Sequence, residues 1–343
     1  MHCELLVPAL FPARARLLAA LAAQRLPALE LLLARGRHAG HECALPERWL
    51  LEQFGCSGAP LPAGALTALA DGAGADVSSV DGSWSRADPV HLRVDRDRLT
   101  LVPGAALEVS GEEAAALCEA LNRHFSPELR FHPPHPRRWC ARLGTAKGPD
   151  SAPTLEVAGE DVSAHLPSGE DASRWHALLN EIQMVLHAAP VNEARERRGE
   201  PPVNSVWLWG PGALPSGVRA RWRSVSADDP VALGLARLAG VAQRRLAVDF
   251  QAWMAQAPEG GCHLIVLEQL REPHALGDAQ SYAARLQALE ARWFAPLLAA
   301  LRRGRIGMIT IHVPDGTQAR SCETIRGDLR RFWRRARPLA SYA

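Results

Sequence analysis

Four short, mostly apolar runs limit what this chain can fold into more than any other feature of its sequence. They cover residues 4–10, 205–209, 263–267 and 307–313. Runs of this length and composition are typical of strands that a parallel sheet buries on both faces. Because segments with helical spacing separate the runs, we predict an α/β fold in which helices cover both faces of a mostly parallel sheet.

Two segments show helical spacing clearly. Residues Ala172–His187 and 282–301 place apolar side chains three and four positions apart, as a helix does when it packs one face on a core. Proline lacks the N–H group that a helix interior uses, so Pro296 should kink or divide the second helix. We therefore expect one continuous and one broken helix in the second half of the chain.

The middle of the chain has a different pattern. Residues 91–94 and 99–102 predict two strands joined by a tight turn. Ser110 and Glu113 then have the spacing of a capping box and begin a helix over 114–125. This pattern predicts an α+β insert, and it places the domains at 1–83 (first part of the core), 84–165 (inserted subdomain) and 166–343 (second part of the core, with a basic C-terminal helix).

Composition and charge exclude several functional classes. Apolar residues make up 47% of the 343 residues, and the formal net charge of +2 does not favour nucleic acid or an anionic surface as a partner. We find no apolar stretch of about 18 residues, so we expect no membrane span. Arg14 and Arg16 interrupt the apolar start, which therefore does not resemble a signal peptide. The seven cysteines form no CxxC pair, as is typical of reduced thiols in a cytoplasmic protein.

One block of the sequence resembles a known enzyme family. Residues 180–212 read NEIQMVLHAAPVNEARERRGEPPVNSVWLWGPG. They are similar to the archaeal-type cofactor-independent phosphoglycerate mutases of the alkaline phosphatase superfamily, in which a helix, HPVN, an Arg, a Gly, PAN and a strand ending in WGxG follow in that order. Ala189 replaces the family's His. The matching residues are Pro190, Val191, Asn192, Arg195, Gly199, Pro202, Asn204, Trp207, Trp209, Gly210 and Gly212.

Three further blocks follow the same family order. They are an insert over 87–134, a glycine-bearing segment over 232–241 and a closing strand–helix–strand unit over 263–316. The bacterial RpfE-type regulatory proteins resemble this chain more closely still. The resemblance implies an alkaline-phosphatase-like α/β core with an inserted α+β subdomain.

The same resemblance implies a catalytic site that this chain does not reproduce. Family members hold two divalent ions, usually manganese or zinc, beside a Ser nucleophile, and two adjacent metals stabilise both the attacking and the leaving oxygen. Their first strand ends in Asp-Gly, whereas this chain has Pro8 and Ala9. No serine matches the nucleophile near 46–58, and the family's final Asp-His is Asp315 and Gly316 here. No catalytic residue is therefore assigned.

Acidic and imidazole side chains do follow two of the predicted strands. Glu272, His274 and Asp278 follow the third run, and Asp315 follows the last. Side chains at the carboxyl ends of parallel strands lie at one edge of the sheet, so these four are candidate ligands of a rearranged metal site. The alternative is that they are loop residues exposed to water. We expect no cofactor, and manganese or zinc only if the site is rearranged.

The 180–212 block contains candidate phosphate contacts. Arg195 offers a guanidinium group, and the neighbouring amides can also bind an anion. The candidate contacts are Asn192, Arg195, Asn204, Gly210 and Gly212. The alternative interpretation is conformational, with asparagines capping, glycines turning and Arg195 paired with an acid.

Two functions follow from these patterns. The first is a catalytically degenerate mutase relative, a cytoplasmic protein that binds a phosphorylated small molecule or a protein partner and has a regulatory role. The second is an active phosphoglycerate mutase, or another metal-dependent phosphotransferase, with a rearranged site. Nucleic-acid binding through residues 326–337 is a weaker third hypothesis, because a basic helix of this kind more often docks its aromatic face on the core.

Overall fold

The computed structural model describes residues 1–43, 45–58, 60–73, 82–95, 98–144, 148–168, 171–314, 316 and 318–342. The described strands are β1 (His2–Leu6), β2 (Arg37–Glu42), β3 (Ser83–Asp95), β4 (Arg98–Pro103), β5 (Leu129–His135), β6 (Arg138–Leu143), β7 (Ser205–Gly212), β8 (Ser224–Ser226), β9 (Ala242–Arg244), β10 (Cys262–Val266), β11 (Met308–Pro314) and β12 (Gln318–Ile325). The described α-helices are α1 (Ala15–Ala22), α2 (Pro27–Arg35), α3 (Pro46–Gln53), α4 (Ala63–Asp71), α5 (Gly111–Phe125), α6 (Thr154–Val157), α7 (Ala172–His187), α8 (Pro190–Arg197), α9 (Pro230–Leu238), α10 (Phe250–Gln256), α11 (Arg271–Leu276), α12 (Ala279–Leu289) and α13 (Ala295–Arg302). Short 3-10 helices cover Gly104–Ala106, Val162–His165, Arg326–Arg330 and Leu339–Tyr342.

The chain folds into two compact units, and the first is discontinuous in sequence. Unit 1 combines Met1–Ser57 with Gly217–Ala343, and unit 2 is Gly58–Ser216. Unit 2 contains the predicted insert, 84–165, and extends beyond it at both ends. It does so because α4, which precedes the insert in sequence, packs on β3, and β7, which follows the insert, pairs with β3.

Unit 1 contains the predicted, mostly parallel sheet. Its strand order is β2-β12-β11-β1-β10-β8-β9. The central strand, β1, lies between β10 and β11 and is parallel to both, while β12 and β2 add an antiparallel edge. Leu5 lies beside Ile265 and Ile311, and all three side chains are buried. Continuous burial of this kind explains why three of the four apolar runs were recognisable as strands of this sheet.

The fourth run forms a buried strand as predicted, but the prediction that it belongs to the parallel sheet was wrong. Residues 205–209 form part of β7, which pairs antiparallel with β3 in the five-stranded sheet of unit 2. In that sheet β4, β3, β6 and β5 follow in order, and β7 also pairs with β3. Helices α4 and α7 both pack on β7, so the strand is buried like a strand of a parallel sheet. An apolar run predicts burial, but it does not identify the neighbouring strand.

The predicted helices form with their expected ends. Ser110 Oγ accepts the Glu113 N–H at 3.1 Å, and a Glu113 carboxylate oxygen accepts the Ser110 N–H at 3.0 Å, which completes the capping box of α5. The broken helix is also confirmed, since α12 and α13 are separated by a π-helical turn over Glu290–Phe294. Pro296 lies in the first turn of α13, where its missing N–H is not needed.

The C-terminal segment differs from the prediction. The residues after β12 form the 3-10 helix Arg326–Arg330 and then irregular backbone, not a basic α-helix with a docked aromatic face. Phe332 and Trp333 are 78% and 67% exposed and pack on each other, with ring centroids 5.3 Å apart. The 3-10 helix ends at Arg330, so helical spacing does not continue far enough to turn both rings toward the core.

The helices that the structure describes are short compared with a membrane-spanning helix. None of them is individually long and apolar enough to cross a bilayer. Helices α1 and α2 meet the criterion only as a pair, and the pair is bent by 99°. Leucines of both helices, such as Leu17 and Leu32, are buried in the core of unit 1.

Candidate functional site

The two asparagines predicted as phosphate contacts hold backbone segments of unit 2 together. The Asn192 amide donates to the carbonyls of Leu186 at 2.7 Å and Val203 at 2.8 Å, and its oxygen accepts the Val203 N–H at 2.9 Å. The Asn204 side chain pairs with both backbone groups of Leu92, at 2.7 and 2.9 Å. Both side-chain amides are therefore engaged by backbone groups of the protein.

Arg195 is also engaged by protein groups. It is 1% exposed, and its Nε donates to the Pro201 carbonyl at 3.0 Å. One terminal nitrogen donates to Glu113 at 2.8 Å, and the other donates to the Leu107 carbonyl at 2.5 Å. Glu113 also accepts from Arg198 at 2.6 Å. Burial raises the pKa of Glu113. The Ser110 N–H and these two guanidinium groups outweigh burial and lower the pKa below its ordinary value.

The two glycines predicted as phosphate contacts have backbone conformations or neighbours that explain the lack of a side chain. Gly210 has a φ of 58°, and a Cβ there would lie 2.6 Å from the Cβ of Ala63, at the start of α4. Gly212 has a φ of 152°. Gly210 therefore permits the close approach of α4 to β7. Phosphate binding by the five residues of the block stays a prediction, and their contacts support the conformational alternative.

Two of the candidate metal ligands of unit 1 have local partners. Glu272, on α11, lies 3.6 Å from a terminal nitrogen of Arg285. Asp278 caps α12, and one of its carboxylate oxygens accepts the N–H groups of Gln280 and Ser281, each at 3.1 Å. Capping of this kind explains an aspartate at that position without a metal.

The other two candidate ligands do not complete a metal site within the described residues. Burial and the charges of Arg14 and Arg271 lower the pKa of His274. Asp315 lies outside the described residues. Within the described ranges, the groups of three ligating side chains that lie close together include none of Glu272, His274 and Asp278. Their role as metal ligands stays a prediction.

Glu4 is a buried carboxylate that sequence reasoning did not single out. It lies on β1 and is 4% exposed. Arg221 donates to its two oxygens at 2.7 and 3.3 Å, Trp222 Nε1 donates at 3.0 Å, and His312 Nε2 lies 3.5 Å away. Burial alone raises the pKa of Glu4, but His312, Arg221 and Trp222 together hold it well below its ordinary value. The sequence did offer a signal, because Glu4 is an acidic residue in a run that is otherwise mostly apolar.

A histidine and a cysteine face the other side of the Glu4 carboxylate. The Cys262 sulfur lies 3.2 Å from Glu4 Oε1 and 3.4 Å from His2 Nδ1, and His2 Nδ1 lies 3.7 Å from Glu4 Oε1. The second ring nitrogen of His2 lies 2.9 Å from the Thr310 hydroxyl. Burial and the charge of Glu4 raise the pKa of Cys262 to about 12. We call His2, Glu4 and Cys262 the β1–β10 cluster.

A second group of potential ligands lies at the antiparallel edge of the same sheet. The side chains of His41, Cys43 and Glu52 place one ligating atom each within 4.8 Å of the others. His41 pairs with Ala319, which in turn pairs with Pro314, the last residue of β11. This group therefore lies at the edge of the sheet where β11 ends. Burial and Glu52 raise the pKa of Cys43 to about 11.

Unit 2 contains an open cavity of about 700 Å³ with a basic lining. Arg130 on β5 and Arg142 on β6 pair directly across the strands, so both side chains are on the same side of the sheet. The described lining residues include no acid. They are Gly82, Asn122, Ser126, Pro127, Arg130, Arg142, Leu143 and Gly144.

Comparisons with known proteins point to one enzyme family. A family model described as 2,3-bisphosphoglycerate-independent phosphoglycerate mutase matches residues 64–192, which lie within unit 2. A probable enzyme of this name from Geobacter sulfurreducens is 30% identical over 204 residues, which are 57% of this chain and 51% of that protein. One from Methanosarcina mazei is 29% identical over 201 residues, 57% of this chain and 50% of that protein. The chain thus matches about half the length of these relatives.

Most of the chain also resembles a solved structure. The PH0037 protein from Pyrococcus horikoshii is 14% identical to it with a TM-score of 0.58, over 94% of this chain and 87% of that one. This likeness concerns the fold alone. Together with the sheet of unit 1, it confirms the predicted fold class, a mostly parallel α/β sheet with helices.

Proposed function

We propose that this chain is a phosphoglycerate-mutase-like protein that lacks mutase catalysis and binds a phosphorylated small molecule. One observation carries the proposal. The family similarity extends over residues 64–192, whereas the strand ends of unit 1 lack most of the residues that the family resemblance implies there. A regulatory role in the cytoplasm, as the resemblance to RpfE-type proteins implies, is part of the same proposal.

The backbone after β1 supports the loss of a ligand. Active relatives are expected to carry Asp-Gly there, and this chain carries Pro8 and Ala9. Ala9 nevertheless has a φ of 61°, a left-handed conformation that favours glycine, and the Tyr282 hydroxyl bonds the Ala9 and Leu10 carbonyls at 2.9 and 3.1 Å. This turn thus has a backbone that favours glycine, while the Pro8 and Ala9 side chains offer no oxygen to a cation.

Replacing Ala9 by glycine should raise the free energy of unfolding of unit 1 by about 1 kcal/mol, because an L residue is strained in the left-handed region. Urea unfolding of the full chain would measure the change. Ala19, an exposed residue of α1, is the matched control, since Ala19→Gly should instead cost about 1 kcal/mol of helix stability. Equal losses at both positions would contradict the turn interpretation.

Charge balance also supports the absence of a two-metal centre. Two adjacent cations need several carboxylate and imidazole ligands to offset their charge. At the edge where the family resemblance implies the centre, the described residues bring together one group of three ligands, His41, Cys43 and Glu52. Three ligands are too few for two cations.

The basic cavity of unit 2 supports a phosphorylated ligand. Guanidinium groups bind phosphate through short, charge-assisted hydrogen bonds. Arg130 and Arg142 lie opposite each other along the cavity wall, so one phosphate group can accept hydrogen bonds from both. Ser126 adds a further polar residue to the same wall.

The test combines catalysis, metal content and binding in the intact chain. We expect no interconversion of 2- and 3-phosphoglycerate with added manganese, and no stoichiometric manganese by elemental analysis. Calorimetry should detect binding of 3-phosphoglycerate, and Arg130→Gln should weaken it about 10- to 100-fold, as for one lost charged hydrogen bond. Arg123→Gln, an exposed change on α5, should leave the affinity unchanged. Manganese-dependent turnover, or equal binding by both variants, would refute the proposal.

The second candidate function, a metal-dependent phosphotransferase with a rearranged site, is supported by one specific observation. His41, Cys43 and Glu52 lie at the edge of the sheet where β11 ends. If this candidate is correct, turnover with added manganese or zinc should be abolished by Cys43→Ser and by Glu52→Gln. Turnover that survives both changes would remove this group from the mechanism.

A further inference from the structure

We propose that the β1–β10 cluster binds one zinc-class ion through His2 Nδ1, Glu4 Oε1 and Cys262 Sγ. The three ligand atoms are 3.2, 3.4 and 3.7 Å apart. In a tetrahedral zinc site with bonds of 2.0–2.3 Å, ligand atoms are separated by roughly 3.3–3.7 Å. The His2–Cys262 and His2–Glu4 separations lie within this range and the Glu4–Cys262 separation is just below it, so the ligands need little movement to hold an ion.

The neighbours of the cluster orient two of the ligands. His2 Nε2 lies 2.9 Å from the Thr310 hydroxyl, so a proton on Nε2 leaves the Nδ1 lone pair directed at the site. Metal-bound histidines almost always make such a second hydrogen bond. Trp222 and the closer contact of Arg221 hold Glu4 Oε2 at 3.0 and 2.7 Å. Glu4 Oε1 faces Cys262 and accepts the longer contact of Arg221, from Nε at 3.3 Å.

The ligands are placed by the sheet and not by loops. His2 and Cys262 are direct partners in the β1–β10 register, and Glu4 follows His2 by two positions, which returns it to the same face of the strand. The cluster lies where β1 and β10 begin. Glu272 and His274 follow the other end of β10, so the site is separate from the metal centre that the family resemblance implies.

Ligand chemistry limits the ion and leaves one position open. A thiolate favours zinc, cobalt or cadmium over magnesium or manganese. One carboxylate and one thiolate offset the two charges of the ion, and Arg221 adds a positive charge beside it. Three protein ligands leave a fourth position for water or a substrate atom. The His2 side chain is 20% exposed, which gives that position a route to solvent.

Cobalt titration of the full chain, reduced and stripped of metal with a chelator, tests the proposal directly. We expect one cobalt ion per chain, with the near-ultraviolet charge-transfer band that only a thiolate ligand produces, and displacement of cobalt by zinc. Cys262→Ser should abolish the band. Cys43→Ser, in the other group of ligands, is the matched control and should leave the band intact. Thr310→Val should retain the band and weaken binding about 10- to 100-fold.

Two results would overturn the proposal. The first is the absence of a thiolate band in the intact chain, which would mean that the cluster is only a set of hydrogen bonds. The second is a band that persists in Cys262→Ser and disappears in Cys43→Ser, which would assign the metal to His41, Cys43 and Glu52. Circular dichroism controls for folding, and His2→Asn, which should also weaken binding, gives a second variant should Cys262→Ser fail to fold.

Discussion

Replacing Asp88 by alanine should lower the free energy of unfolding of unit 2 by about 3–5 kcal/mol. Asp88 is 4% exposed, and Arg86 donates to one of its oxygens at 2.5 and 3.0 Å. Thr154 and Trp209 donate to the other oxygen at 2.5 and 2.8 Å. Removing the carboxylate leaves a buried guanidinium group without its partner and two further donors unsatisfied, and each of these losses is costly inside a protein.

Hydrogen exchange of the full chain is the appropriate measurement, because two compact units can unfold separately and a single transition would not assign the loss. Amides of β3 and β7 should lose protection, while those of β1 should not. Glu119→Ala breaks an exposed pair with Arg123 and should cost only a few tenths of a kcal/mol. A double change of Arg86 and Asp88 to leucine should recover the part of the loss that comes from the unpaired guanidinium group, while the Thr154 and Trp209 donors stay unsatisfied. A loss below about 1 kcal/mol in Asp88→Ala would contradict the prediction.

Replacing Arg195 by leucine should destabilise unit 2 by about 3 kcal/mol without weakening the binding of 3-phosphoglycerate. The loss is expected because Arg195 is buried and bonds Glu113 and the carbonyls of Pro201 and Leu107. It lies at the lower end of the range for a broken buried pair, because Arg198 remains as a partner of Glu113.

The destabilisation by Arg195→Leu should also depend on pH. The pKa of Glu113 is below its ordinary value of 4.5 in the folded protein, so its pairing contributes stability above that pH and loses it as the pH falls through the lowered pKa. The difference between Arg195→Leu and the unchanged protein should therefore shrink in acid. Arg195→Lys is the charge-conserving control. Weaker ligand binding with unchanged stability would instead support the direct phosphate contact that the sequence predicts.

Local sequence patterns were sufficient for much of the fold. The capping box at Ser110 and Glu113, the helix Ala172–His187 and the break near Pro296 all depend on residues a few positions apart, and all three were confirmed. The pairing of β7 with β3 could not be predicted in the same way. Burial makes a strand apolar, whereas its neighbours depend on contacts between distant segments.

The same limit applies to the candidate site. Glu4 and Cys262 are 258 positions apart, and only the register of β1 with β10 brings them together. Glu113 was recognised as a capping residue from its spacing, but no spacing shows that the same carboxylate also pairs with Arg195. The family-like order of residues in the 180–212 block therefore pointed to a ligand, whereas its contacts support a structural role for Arg195.

The discontinuity of unit 1 sets the order in which a growing chain can fold. As the ribosome releases the protein from its N-terminus, β1 emerges long before β10 and β11, the strands between which it lies. Unit 2, Gly58–Ser216, is continuous and can complete its own sheet first. Until the last third of the polypeptide is made, β1 and the mostly apolar run 4–10 that overlaps it remain without their neighbouring strands, and a chaperone that binds extended apolar segments would find its target there.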